Sequence, residues 1–66
     1  MKFKDLVEGN IYTDKNNVNA YMFVEMRNDY IATFKRCEYD EEQGNYISTE
    51  EDIYLVESEV KRLISL

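Results

Sequence analysis

Between residues 18 and 27 every even-numbered position is apolar (Val18, Ala20, Met22, Val24, Met26), and this alternation of period two predicts a β-strand. Asn28-Asp29 follows, two residues that tolerate positive φ as a two-residue hairpin loop requires. The chain resumes at Tyr30 and runs to Tyr39 rich in β-branched and aromatic residues, a second strand. A turn that tight dictates the register. One face then sets Met26 against Ile31, Val24 against Thr33, Met22 against Lys35, Ala20 against Cys37 and Val18 against Tyr39. The other sets Arg27 against Tyr30, Glu25 against Ala32, Phe23 against Phe34, Tyr21 against Arg36 and Asn19 against Glu38. The first face is expected to be core, with Met22, Val24, Met26 and Ile31 buried together. The second is half apolar, and two strands alone are marginal in water, so the hairpin must curl into a small barrel or meet a second copy.

The flanking pattern is simpler. Phe3, Leu6 and Val7 suit one turn of helix or an irregular arm ending at Gly9, followed by a short strand over residues 10–13 and a polar loop over 14–17. After the hairpin, residues 40–45 read as a loop and 46–49 as a fourth strand. Glu50-Glu51-Asp52 reads as a turn, 53–56 as a fifth strand, and Ser58 as the cap of a helix over 59–64. Acid at the start of that helix and Lys61-Arg62 near its end suit its dipole. A competing pattern starts a single helix at Thr49 and carries it to Ile64, since Ile53, Val56, Val60, Leu63 and Ile64 lie at helical spacing. The solid apolar run 53–56, with β-branched ends, favours strand then helix.

The spacing Leu6-x-x-Gly9-x-x-Tyr12, followed by a polar loop and a long hairpin, resembles the opening of SH3-like small barrels, small phage-encoded ones among them. The resemblance covers the first forty residues. The expected fold is therefore mainly β: a small antiparallel five-stranded SH3-like or partly open barrel with a short C-terminal helix. The alternative is an α+β fold, a four-stranded sheet with one longer C-terminal helix.

Composition narrows the chemistry. Sixty-six residues make one domain, near the lower limit at which a core suffices without metal or disulfide. The single cysteine, Cys37, falls mid-strand and reads as a small core residue; a lone thiol suits a reducing compartment. No apolar run is long enough for a signal peptide or a membrane span, so a cytoplasmic location is expected. Histidine is absent, which removes the commonest general base and the imidazole metal ligand. The only glycines are Gly9 and Gly44, so there is no Gly-rich phosphate loop. An enzyme, a cofactor and a metal are not expected, and the loop at 40–45 lacks the ligand spacing of a calcium hand.

Charge is the most informative functional feature. Net charge is −6, yet residues 1–37 carry six basic and five acidic side chains, while residues 38–60 carry nine acidic and no basic ones. Asp40, Glu41 and Glu42 form one cluster, and Glu50, Glu51 and Asp52 a second. Three readings compete: a solvated surface that keeps a small protein soluble, a face for a basic protein partner, and a divalent-metal site from Asp40, Glu41, Glu42 and Asn45. A second candidate surface is the aromatic–arginine face of Tyr21, Phe23, Arg27, Tyr30, Phe34 and Arg36, where interleaved rings and guanidinium groups can stack single-stranded bases. Net acidity argues against direct nucleic-acid binding, because phosphates need a basic footprint. The expectation is a small acidic protein that binds and modulates another protein. Its sharpest form is a phage-type inhibitor of a host nucleic-acid-handling or defence protein, with carboxylates standing in for phosphates. A homodimeric structural or assembly module and an oligonucleotide-binding barrel are the alternatives.

Overall fold

The computed structural model describes residues 1–16 and 19–66, so Asn17 and Val18, and with Val18 the expected Val18–Tyr39 pair, lie outside the described residues. A single 3-10 turn, Phe3–Asp5, leads into five antiparallel strands: β1 (Ile11–Thr13), β2 (Ala20–Asn28), β3 (Ile31–Asp40), β4 (Asn45–Val56) and β5 (Ile64–Ser65). One helical turn, α1 (Glu57–Val60), joins the last two. The fold is mainly β, one sheet in the order β4-β3-β2-β1-β5.

The hairpin is present, and half of its register is as expected. Ala20–Cys37, Tyr21–Arg36, Met22–Lys35 and Phe23–Phe34 are partners. Nearer the turn the pairing slips twice. Val24 is an extra residue, so Glu25 faces Thr33 and Met26 faces Ala32; Arg27 is a second, so Asn28 faces Ile31. The turn is therefore Asp29-Tyr30 rather than Asn28-Asp29. Asn28 sits ahead of it and accepts the Tyr30 N–H on Oδ1 at 2.8 Å.

Burial corrects the face assignment: the face of Phe23 and Phe34 is the inner one. Met22, Val24, Met26 and Ile31 are only half-buried and do not share a core. The buried cluster is Tyr12, Phe23, Ala32, Phe34, Leu55, Val60 and Leu63, with Tyr21 and Met26 packed against it. Phe34, fully buried, is its centre: Phe23, Tyr21 and Tyr12 meet it edge-on at 5.5, 6.2 and 6.5 Å between centroids. Each aromatic ring buries roughly 150–250 Å², more than an aliphatic side chain offers, so the rings take the inside and the bulge turns Met26 towards them. The Tyr12 hydroxyl, buried with its ring, accepts the Val7 N–H at 2.9 Å.

The expected fourth and fifth strands are one strand. Glu50-Glu51-Asp52 does not turn the chain. Lys35 pairs with Asp52 and Cys37 with Ser48, which leaves Arg36 opposite Thr49, Glu50 and Glu51. The Thr49 hydroxyl spans this gap, donating to the Arg36 carbonyl at 2.9 Å and accepting the Glu51 N–H at 3.2 Å. A local side-chain bridge thus replaces the missing ladder bonds, and the strand continues. The single-helix alternative falls with this, since residues 50–56 are extended.

The helix is shorter and earlier than expected. It spans Glu57–Val60, contains Ser58 instead of being capped by it, and has the Glu59 carboxylate accepting the Val56 N–H at 3.1 Å. Val60 and Leu63, one turn apart, point inwards together. Ile64 and Ser65 then pair with Thr13 and Tyr12 as β5, which supplies the β1 edge with partners that a longer helix would have left without. The sheet is not closed into a barrel. β5 is two residues long and does not reach β4; α1 with Val60 and Leu63 fills the opening instead. No helix among the described residues is long and apolar enough to cross a membrane.

Candidate binding surfaces

β2 stops pairing at Ala20–Cys37, while β3 and β4 continue to pair through Glu38–Ile47, Tyr39–Tyr46 and Asp40–Asn45. Among the described residues this end of the hairpin is thus a ribbon of two strands. The molecule's longest dimension, 37 Å, is close to the roughly 40 Å that a twelve-residue strand such as β4 covers. Two strands need a local source of stability, and Tyr39 and Tyr46 supply it, ring against ring at 5.2 Å. Tyr39 nevertheless remains 56% exposed, with Ile47 exposed beside it. The ribbon closes at residues 41–44: Gly44, at φ 71°, donates its N–H to the Asp40 carbonyl at 2.8 Å, and Asp40 Oδ1 accepts the Glu42 N–H at 3.0 Å.

The two acidic clusters differ in what faces them. Asp52 is bound to the Lys35 ammonium at 2.6 Å, and Glu51 to the Arg36 guanidinium at 3.3 Å. Glu38 takes the same guanidinium at 3.1 Å. These contacts raise the proton affinity of both cations, Lys35 chiefly through its hydrogen bond to Asp52 and Arg36 chiefly through that to Glu38. Asp40, Glu41 and Glu42 make no ion pair among the described residues. Nor do any three acidic or cysteine side chains there gather as a metal ion would need. The clusters stand at the two ends of residues 45–50, roughly 16 Å apart along the strand.

The six aromatic–arginine positions are not gathered on one exposed face. Phe23 and Phe34 are core, and Tyr21 leans on them. Tyr30 stands alone at the hairpin turn, 76% exposed. Arg36 is held by its two carboxylates, and Arg27 lies over the Tyr54 ring at 4.6 Å, a cation–π contact.

Among the described residues, two depressions bear on binding. A shallow groove of about 580 Å³ is lined by Glu25, Met26, Arg27, Thr33, Asp52 and Tyr54. A smaller crevice of about 150 Å³, between α1 and the open end of the sheet, has Leu55 and Leu63 with Asp14, Tyr21, Glu59 and Arg62 around it. Burial pushes the Tyr21 hydroxyl above its ordinary value, and Asp14 and Glu59 add to the rise. Burial likewise pushes the Cys37 thiol up.

The Tyr39–Tyr46 pair of the ribbon and, Tyr21 apart, the members of the crevice were not picked out from sequence. Tyr39 and Tyr46 flank the acidic loop symmetrically, which is the signal of a cross-strand pair. The crevice joins residues 14, 21, 55 and 59, and no local spacing announces it. Compared with known protein families, curated proteins and solved structures, the chain matches none.

Proposed function

We propose that this is a non-enzymatic protein that docks onto a basic surface of another protein through the acidic end of the β3–β4 hairpin. The observation that carries the reading is the ribbon itself: exposed Tyr39, beside Asp40, Glu41 and Glu42, which no cation of the chain opposes among the described residues. Tyrosine is enriched at the centres of protein interfaces, and clustered like charge speeds encounter with a surface of opposite sign. Glu50, Glu51 and Asp52 contribute less, because Lys35 and Arg36 already engage two of the three. A nucleophilic thiol or lysine needs its value lowered, whereas Cys37 and Lys35 move up.

In its sharpest form the partner is a nucleic-acid-handling or defence protein whose phosphate groove the carboxylates occupy, as a phage-type inhibitor would, and the site of action is the cytoplasm. The resemblance of the first forty residues to small SH3-like proteins lends this form its motivation. The test is affinity capture with the native chain and with Glu41→Lys/Glu42→Lys, alongside thermal melts of both. The reversed chain is expected to lose its partner while melting unchanged. Equal capture of the same partner by both chains would overturn the assignment of the hairpin end.

A further inference from the structure

We propose that the edge of β4 at Asp52 and Tyr54 takes an extended, basic segment of another protein as an antiparallel sixth strand. β4 is the end strand of the sheet, paired to β3 on one side only among the described residues. Which of its backbone groups face outwards follows from the ladder. Phe23 donates its N–H to the Asn10 carbonyl at 3.0 Å and accepts the Gly9 N–H at 2.9 Å, so both its groups point away from β3. Opposite residues of an antiparallel ladder exchange both hydrogen bonds or neither, in alternation. Phe34, the partner of Phe23, therefore turns its groups to β4, where Ile53 faces it. The register from Ile31–Val56 to Lys35–Asp52 has no slip, so Ile53 and Leu55 bond to β3 while the groups of Asp52, Tyr54 and Val56 point out. The Val56 N–H, taken by Glu59 Oε1 at 3.1 Å, agrees with that direction and closes the edge at α1. At the other end the bulge at residues 49–51 interrupts it, and the Glu51 N–H donates to the Thr49 hydroxyl. Between these stops lie Asp52 and Tyr54, presenting two N–H and two C=O groups.

Charge decides the occupant. Lysine and proline, which commonly guard sheet edges, are absent from β4. Glu50, Glu51 and Asp52 stand there instead. They repel a second copy, whose β4 brings the same charges, and suit a strand that carries lysine or arginine. Asp52 gives Oδ1 to Lys35 and Glu51 gives Oε2 to Arg36, both cations of β3. A carboxylate offers about four lone-pair sites, so each retains capacity for a second cation from the open side. Glu50 makes no ion pair among the described residues. Next to the open groups, Arg27 lies over the Tyr54 ring at 4.6 Å, and the ring is still 48% exposed. A cation there and uncovered aromatic surface favour an apolar residue opposite Tyr54, with basic residues opposite Asp52 and the two glutamates.

A basic protein partner, as proposed above, is the source of the segment, and the inference rests on that reading for its occupant. The edge itself is testable without the partner. The full chain is titrated with acetyl-Thr-Val-Thr-Lys-Lys-Arg-amide, which sets valine opposite Tyr54 and the first lysine opposite Asp52, while backbone amides are followed by NMR. Saturating shifts over residues 52–54 are expected, with slowed amide exchange at Asp52 and Tyr54. The same peptide N-methylated at the valine and the first lysine keeps its charge and loses the two N–H groups that would face β4, so it should bind at least about tenfold more weakly. The acidic peptide acetyl-Thr-Val-Thr-Glu-Glu-Glu-amide should not bind. Glu50→Gln/Glu51→Gln should weaken the basic peptide by up to roughly fivefold for each pair lost. Glu41→Lys/Glu42→Lys should leave it unchanged, which separates failure of the edge from failure of the hairpin reading. Equal binding of the methylated peptide, shifts without slowed exchange, or no saturation would overturn the proposal. So would protection of Asp52 and Tyr54 in the chain alone that grows with its concentration, since a second copy would then be the occupant.

Discussion

Phe34 shows at the scale of one residue why the rings, and not the even-numbered aliphatic positions, form the core. It is fully buried and touches three other rings, so Phe34→Ala removes both its burial and the edge-on contacts, a loss of about 3–5 kcal/mol. Small domains have about 5–15 kcal/mol in all, so urea unfolding should show most of the stability gone. Val24→Ala, at the half-buried bulge, should cost about 1 kcal/mol, and equal midpoints for the two variants would contradict this core. Cys37 and Tyr21 make a second prediction at this scale. Both are acids whose neutral form the fold favours, chiefly through burial. Their contribution is complete below the ordinary values of 9.0 and 10.0 and is lost as pH rises through the higher folded values. Melting temperature should stay level from neutral pH to about 9 and then fall. Cys37→Ala should remove the first part of that fall; an identical alkaline profile would show that the buried thiol has no part in it.

At the scale of the element, the bulge opposite Arg36 explains how an acidic triplet can sit inside a strand. Thr49→Val keeps the shape of the side chain and removes both of its hydrogen bonds, at a cost of about 1–2 kcal/mol. Amide exchange at residues 50–52 should quicken in that variant, and unchanged exchange would mean the bridge is dispensable. Asp52→Ala, which breaks only an exposed ion pair, should cost at most about 1 kcal/mol. The same bulges explain what could be read beforehand. The β2–β3 hairpin, the short β1 and the loop at 40–45 were legible because strand alternation and turn residues are local signals. The inward face was not, because both faces of the hairpin carry apolar residues and the rings of Phe23 and Phe34, on the face expected to be outer, took the inside; the extra residue at Val24 then brought Met26 round to join them. The fusion of two expected strands into β4 was hidden for a similar reason: three consecutive acids look like a turn until a threonine hydroxyl supplies the missing partners. Of the candidate site, the acidic loop was visible in the charge pattern. The neutralisation of Glu51 and Asp52 depends on β3 lying alongside and was not.

For the whole molecule, the uneven charge fixes the sign of every salt effect. Net charge is −6, and the edge strand β4 carries Glu50, Glu51 and Asp52 along its length. Two copies meeting through β4 would bring those carboxylates towards one another, and like charges facing across a ladder destabilise it. Screening acts over roughly 10 Å at 0.1 M salt and relieves such repulsion. Any self-association of the chain through this edge should therefore strengthen as salt rises. Capture of a basic partner should do the opposite, because screening weakens attraction between unlike surfaces and slows their encounter. The two measurements belong side by side, sedimentation of the chain alone and partner association, each from low to high salt. Opposite slopes are expected. A partner interaction that is indifferent to salt would remove the acidic hairpin end as its driving surface and shift the interface to the exposed tyrosines. A dimer that weakens as salt rises would show that copies meet through opposite charges, which β4 against β4 cannot provide.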